Sequence, residues 1–225
     1  RAFILSNPHN PVGRVFTEEE LRALGEICRR HHVFVIADEI HSDLVFSGRR
    51  HVVFASLGGE IADNCAVCHA PSKTFNLAGM AFSCIMIPDG ARRERFDAAF
   101  SRYCGAPHPT FFAPVAARAA WDHGEPWLTA CLAYIYQNYL YVKRFAEETW
   151  QGRVQVLPLE GTYLAWLDFR RLESDPGKLR ERMLREAKVA LDEGFIFGSE
   201  GSGFERLNLA APRVLIEKIM RQIAA

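Results

Sequence analysis

Three short runs in this chain lack the polar alternation of a half-exposed strand: AFILS (2–6), VFVIAD (33–38) and CAVCHA (65–70). A strand with one wet face alternates apolar and polar side chains. One that does not alternate must be covered on both faces, as strands are in a parallel sheet flanked by helices. A fourth run, FSCIMIP (82–88), is equally apolar. Between the first two, Thr17 followed three residues later by Glu20 is a capping-box signature. The helix it opens runs through LRALGEICRRHH, apolar at Leu21, Leu24, Ile27 and Cys28. Apolar strands joined by a helix predict an α/β sheet.

After Pro88 the pattern changes. Helices are predicted over 89–104, 110–123 and 125–149. The last carries Trp127, Tyr134, Tyr136, Tyr139, Tyr141 and Phe145, an aromatic series read as core packing. RVQVLP and TYLAWLDF predict two strands around EGT, a helix follows over about 175–187, and FERLNLA leads into a last helix over 212–223. The carboxyl-terminal third reads as a small α+β domain reached through the long helix. FGSEGSGF (197–204) is rich in glycine but lacks the strand-then-helix setting of a phosphate loop, and is read as a mobile loop or turn.

Apolar residues are 49% of the 225, enough for a substantial core. Lysines plus arginines equal aspartates plus glutamates at 27 each, so neither nucleic acid nor a membrane surface is an expected partner. No apolar run is long enough to span a bilayer, and no signal-peptide pattern is present. Six scattered cysteines, Cys65-x-x-Cys68 among them, read as reduced cytoplasmic thiols rather than a disulfide framework or a metal site. The sequence opens RAFILSNP with a buried strand already under way, which predicts an amino-terminally incomplete chain.

Four residues stand out for chemistry. Asn10 follows the first strand in NPHNPVG, Asp38 ends VFVIAD, Lys73 follows CAVCHA, and Arg206 lies in FERLN. In open α/β sheets ligands bind at the carboxyl ends of the strands. Taken singly, each has an ordinary explanation. Asn suits a turn before proline, a strand-end Asp caps helices, a lone lysine is a solvated surface group, and an arginine serves ion pairs.

Together they carry more. SNPHNPVGRVFTEEEL, VFVIADEIHSDL, APSKTFNLAGM, EGTYLAWLDFR and GFERLNLAAPR, in this order, resemble the fold-type-I pyridoxal-phosphate enzymes of the class I and II aminotransferase superfamily. DEIHSDL and APSKTFNLAG resemble most the PatB/MalY-type C–S β-lyase (cystathionine β-lyase) branch. The resemblance implies a partial large domain over 1–124 and a small domain over 125–225 that includes the long helix. It implies pyridoxal 5'-phosphate as cofactor, an amino-acid substrate and a homodimer.

By the same resemblance Lys73 holds the cofactor through its amine and serves as catalytic base. Asp38 pairs with the pyridine nitrogen, Asn10 hydrogen-bonds the phenolic oxygen, Ser72 meets the phosphate, and Arg206 takes the substrate carboxylate. His41 stands where many relatives carry a tyrosine that touches the cofactor. Ala81 stands where many carry a phosphate-binding arginine, and Ala70 where a serine or threonine is common. These departures favour the lyase branch. The implied reaction is β-elimination of a thiolate to give pyruvate and ammonia. Transamination, a ligand-sensing regulatory domain and an inactive fragment remain open as alternatives.

Overall fold

The computed structural model describes residues 1–46, 48–105 and 110–225. The chain divides into two compact units: Arg1–Pro8 with Val15–Thr129, and His9–Arg14 with Ala130–Ala225.

The first unit holds a four-stranded sheet, β1 (Ala2–Ser6), β2 (Phe34–Asp38), β3 (Cys65–His69) and β4 (Cys84–Met86), in that spatial order. β1, β2 and β3 run parallel, with Ser6 beside Asp38 and Asp38 beside Cys68. β4 is antiparallel to β3 and only three residues long, so the apolar run FSCIMIP exceeds the strand it forms. Helix α1 (Glu18–Arg30) starts on the expected capping box. The Thr17 side chain accepts from the Glu20 amide, and the Glu20 carboxylate accepts from the Thr17 amide. The helix stops short of His32, which has a left-handed φ of 52°.

α1 buries Leu21 and Cys28 against Leu5, Val35, Ala37, Cys65 and Val67 of the sheet. Phe54, Leu57 and Ile61 close the same core from a 3-10 turn (Phe54–Leu57) and α2 (Gly59–Asp63). Gly25 is the point of closest approach: a Cβ there would stand 2.7 Å from Ile61 Cγ2. On the other face Phe34, Ile36, Ala66, Ile85 and Phe96 line an open cleft of about 490 Å³. The unit also contains α3 (Pro71–Thr74), α4 (Gly90–Cys104), α5 (Ala113–His123) and the first turn of α6 (Glu125–Trp150).

The second unit carries β5 (Gln155–Val156), β6 (Leu164–Asp168), α7 (Pro176–Glu181), β7 (Asp192–Glu193), β8 (Phe204–Asn208) and α8 (Arg213–Ala224). Its sheet has the order β5-β6-β8-β7 and is antiparallel throughout. β7 has no counterpart in the expected elements. The helix expected over 175–187 becomes α7 followed by a π-helical stretch, Arg182–Glu186. Ile135, Tyr139, Val142, Ala146 and Trp150 of α6 are buried, whereas Trp127 and Tyr134 are half exposed, so only part of the aromatic series is core. The segment 197–204, expected as a mobile loop or turn, holds the end of one 3-10 turn, Gly194–Phe197, all of a second, Ser199–Gly201, and the first residue of β8. Gly194 and Gly201 touch backbone to backbone, leaving no room for a Cβ on either.

All six cysteines are free. Among the described residues no helix is long and apolar enough to cross a membrane.

Candidate functional site

Four of the residues singled out lie in the first unit. Asp38 ends β2 beside Cys68 of the parallel strand β3, so both strands finish at one sheet edge. Asp38 is half-buried, and its Oδ1 accepts from the Ile40 amide at 3.3 Å. Its Oδ2 has no hydrogen-bond partner among the described residues. The adjacent carboxylate is spent differently. Glu39 Oε1 accepts from the Phe54 amide at 2.7 Å, and Oε2 pairs with His51 Nε2 at 2.8 Å, with both side chains nearly fully buried. Of the two adjacent acids that open DEIHSDL, Glu39 braces the core and Asp38 ends the strand. Burial first, and then the charges of Asp38 and Glu39, push the Cys68 thiol up from its ordinary range.

His41 is buried at 4% exposure in the turn after β2, its carbonyl accepting from the Leu44 amide at 2.9 Å. Lys73 lies in α3, which starts with Pro71 at its first turn and has no side-chain cap on Ala70. Lys73 is exposed and makes no hydrogen bond or ion pair among the described residues. Ser72 is half-buried, its carbonyl accepting from the Leu77 amide at 3.1 Å. Ala81 closes the 3-10 turn after α3 in a left-handed conformation, φ 51°.

The sequence reading missed the brace around Lys73. Thr74, next to it and 2% exposed, donates to Asp43 Oδ2 at 2.8 Å. His69 Nδ1 lies 3.3 Å from both Ser42 Oγ and the Glu39 carbonyl, and the His69 ring stacks on Trp121 at 5.7 Å. These contacts join the turn after β2 to the helix that carries Lys73. The only sequence signal for them is adjacency: Asp43 follows His41 by two positions, and His69 ends the strand before Lys73.

Asn10 and Arg206 lie in the second unit and meet there. Arg206 Nη1 donates to Asn10 Oδ1 at 2.7 Å across 196 positions of sequence. The Asn10 turn is fastened by Gly13, whose carbonyl accepts from the amides of Glu160 and Gly161 at 2.9 and 2.8 Å. Burial, and then the Arg14 charge, hold the His9 imidazole below its ordinary range. Arg206 sits within β8 rather than at a strand end, with its side chain 17% exposed. Its Nε and Nη2 donate to Asp192 Oδ2 at 3.1 and 2.6 Å, and its guanidinium carbon lies 4.7 Å from the Phe197 ring centre. Asp192, absent from the sequence reading, belongs to the two-residue strand β7, too short and too charged to show as a strand.

The first unit thus groups a carboxylate, an imidazole, a hydroxyl and an unpaired amine. The second presents a guanidinium held by an amide and a carboxylate. A lysine amine can form an imine with a carbonyl compound when deprotonated, a carboxylate can hold a cationic group, and an arginine fork can take a carboxylate.

The sequence profile of aminotransferase class I and II matches residues 1–223. Among characterised proteins, the chain is similar to cystathionine beta-lyase PatB of Bacillus subtilis, 42% identical over 99% of this chain and 57% of that protein. It is also similar to protein MalY of Escherichia coli, 34% identical over 97% of this chain and 55% of that protein. Among solved structures, cystalysin of Treponema denticola, which contains pyridoxal 5'-phosphate, matches with a TM-score of 0.95 at 38% identity, over 100% of this chain and 56% of that one. The chain spans a little over half the length of these relatives.

Proposed function

Because this chain belongs to the class I and II aminotransferase family, we propose that it carries Lys73, Asp38 and Arg206 as working residues of a pyridoxal-phosphate-dependent C–S β-lyase. The observation that carries this reading is topological: Asp38, with one carboxylate oxygen unbonded among the described residues, ends β2, and Lys73, with no side-chain partner among them, follows the end of the neighbouring parallel strand β3. A lysine amine that has lost its proton can attack a carbonyl, and a carboxylate with a spare oxygen can hold a protonated ring nitrogen. That donor set fits pyridoxal 5'-phosphate. Of the three positions compared for the phosphate end, Ser72 carries a polar side-chain atom, while Ala70 and Ala81 do not.

When bound, the cofactor supplies an electron sink for the bond broken at the substrate α-carbon. Everything else falls to the protein. Lys73 would hold the cofactor through its Nζ and, when free as an amine, would take the substrate α-proton. Asp38 keeps the ring nitrogen protonated by facing it with a charge. Asn10 spends its Oδ1 on Arg206, so its Nδ2 remains to donate to the phenolic oxygen. His41, buried beside the same edge, is assigned a second contact to the cofactor. Arg206 receives the α-carboxylate through its planar fork.

Cleavage of cystathionine-type thioethers to thiol, pyruvate and ammonia is preferred over transamination. Relatives at 42% and 32% identity are named cystathionine beta-lyases. Transamination is the second reading because Lys73 and Asp38 serve it equally, and aspartate aminotransferase of Geobacillus stearothermophilus is 28% identical. The active form is proposed to be a homodimer. Six free thiols support a reducing, cytoplasmic setting. Full-length protein loaded with pyridoxal 5'-phosphate and given L-cystathionine is expected to release pyruvate with no keto acid added. Turnover that depends on a keto-acid acceptor would reverse the assignment.

A further inference from the structure

We infer that Asp192 is a positioning residue that fixes the Arg206 fork for an incoming carboxylate. This inference rests on the assignment of Arg206 to the substrate α-carboxylate.

β7 pairs with β8 so that Asp192 lies directly across from Arg206. One oxygen, Oδ2, accepts from Nε at 3.1 Å and from Nη2 at 2.6 Å, which occupies one edge of the guanidinium. Nη1 donates to Asn10 Oδ1 at 2.7 Å, and the Phe197 ring lies over the guanidinium at 4.7 Å. A guanidinium has five N–H groups, and these bonds use three. The two left over, one on each terminal nitrogen, have no partner among the described residues. Two donors on adjacent nitrogens are what a bidentate carboxylate takes.

Asp192 also lies where its effect falls on orientation. Its side chain is 50% exposed, so its charge is largely solvated and the ion pair adds little to the stability of the sheet. An arginine side chain is long and flexible, and without an acceptor on its Nε edge the fork is free to rotate away from its productive direction. Asn10 alone holds one nitrogen and leaves that rotation open. Asp192 and Asn10 together clamp both sides of the plane.

The test measures kcat and KM for pyruvate release from L-cystathionine by the full-length protein loaded with pyridoxal 5'-phosphate. Asp192→Asn keeps an oxygen able to accept both N–H groups and discards the charge, whereas Asp192→Ala removes the acceptor. Asp192→Ala is expected to raise KM about tenfold with kcat within about twofold, and Asp192→Asn to stay within about threefold of wild type in both. Added to Arg206→Ala, Asp192→Ala is expected to have no further effect on KM. The inference is overturned if Asp192→Ala leaves KM unchanged, if it lowers kcat alone, or if Asp192→Asn is as impaired as Asp192→Ala, which would make charge rather than orientation the cause. Arg206→Ala separates the levels. If it leaves KM unchanged, the assignment of Arg206 itself fails. If it raises KM while Asp192→Ala does not, only the role of Asp192 fails.

Discussion

Glu205 and Arg206 are neighbours in β8 whose environments pull them in opposite directions. Arg206 meets an opposite charge, while Glu205 is buried at 2% exposure near Glu193 and Asp192. Burial, then Glu193, then Asp192 push its carboxyl from 4.5 to about 7. Folding therefore takes up a proton between these values. Below about pH 4.5 the group is protonated in both states and costs nothing. As pH rises through 7 the folded state must ionise it or keep it protonated against solution, and stability falls by up to roughly 3 kcal/mol. Glu205→Gln is expected to stabilise the protein at pH 8 and to leave it unchanged at pH 4, as read by urea denaturation at both values. A gain independent of pH would place the effect in packing rather than ionisation. Nothing in FERLN announced this, because burial of a carboxylate depends on which strand lies opposite. By contrast, Asp38 and Lys73 were legible as candidates, since strand-end position and a lone amine are written in the local sequence. That Glu39 rather than Asp38 would be drawn into the core was not legible. It depends on His51 and the Phe54 amide, both distant in sequence.

Elements were legible where a local rule fixes them. TEEE started α1 through the capping box, and the all-apolar runs gave β1, β2 and β3 as parallel strands. The expected cover on both faces does not hold for β1, where Leu5 is buried but Phe3 and Ile4 are 39% and 69% exposed. Thr17→Ala removes one half of the box and is expected to cost about 1 kcal/mol in a urea melt. Glu20→Gln, which retains an acceptor for the Thr17 amide, is expected to cost less. Equal losses would mean that the Glu20 charge at the helix start, not the reciprocal bond, holds the end. Strand direction was not legible. FSCIMIP reads like its neighbours, yet β4 runs antiparallel, and pairing direction leaves no mark in an apolar run. Nor was β7, whose two charged residues make a strand only because β8 lies beside them. The element that delivers Asp192 to Arg206 was thus the least visible in the sequence.

At the scale of the molecule, the two units carry different parts of the proposed chemistry. The first bears Asp38, His41, Ser72 and Lys73, and the second bears Asn10 and Arg206. The assignment of Asn10 to the second unit, through its bond to Arg206 and the anchoring of Gly13, was invisible in a sequence where it follows β1 directly. The central claim is that Lys73 is the lysine that holds pyridoxal 5'-phosphate. The most direct measurement treats full-length protein with pyridoxal 5'-phosphate, reduces it with borohydride, and maps the added mass on its peptides. The label is expected on the peptide containing Lys73 and is expected to vanish in Lys73→Ala. A label on Lys143, Lys178, Lys188 or Lys218 instead, or labelling that survives Lys73→Ala, would contradict the claim.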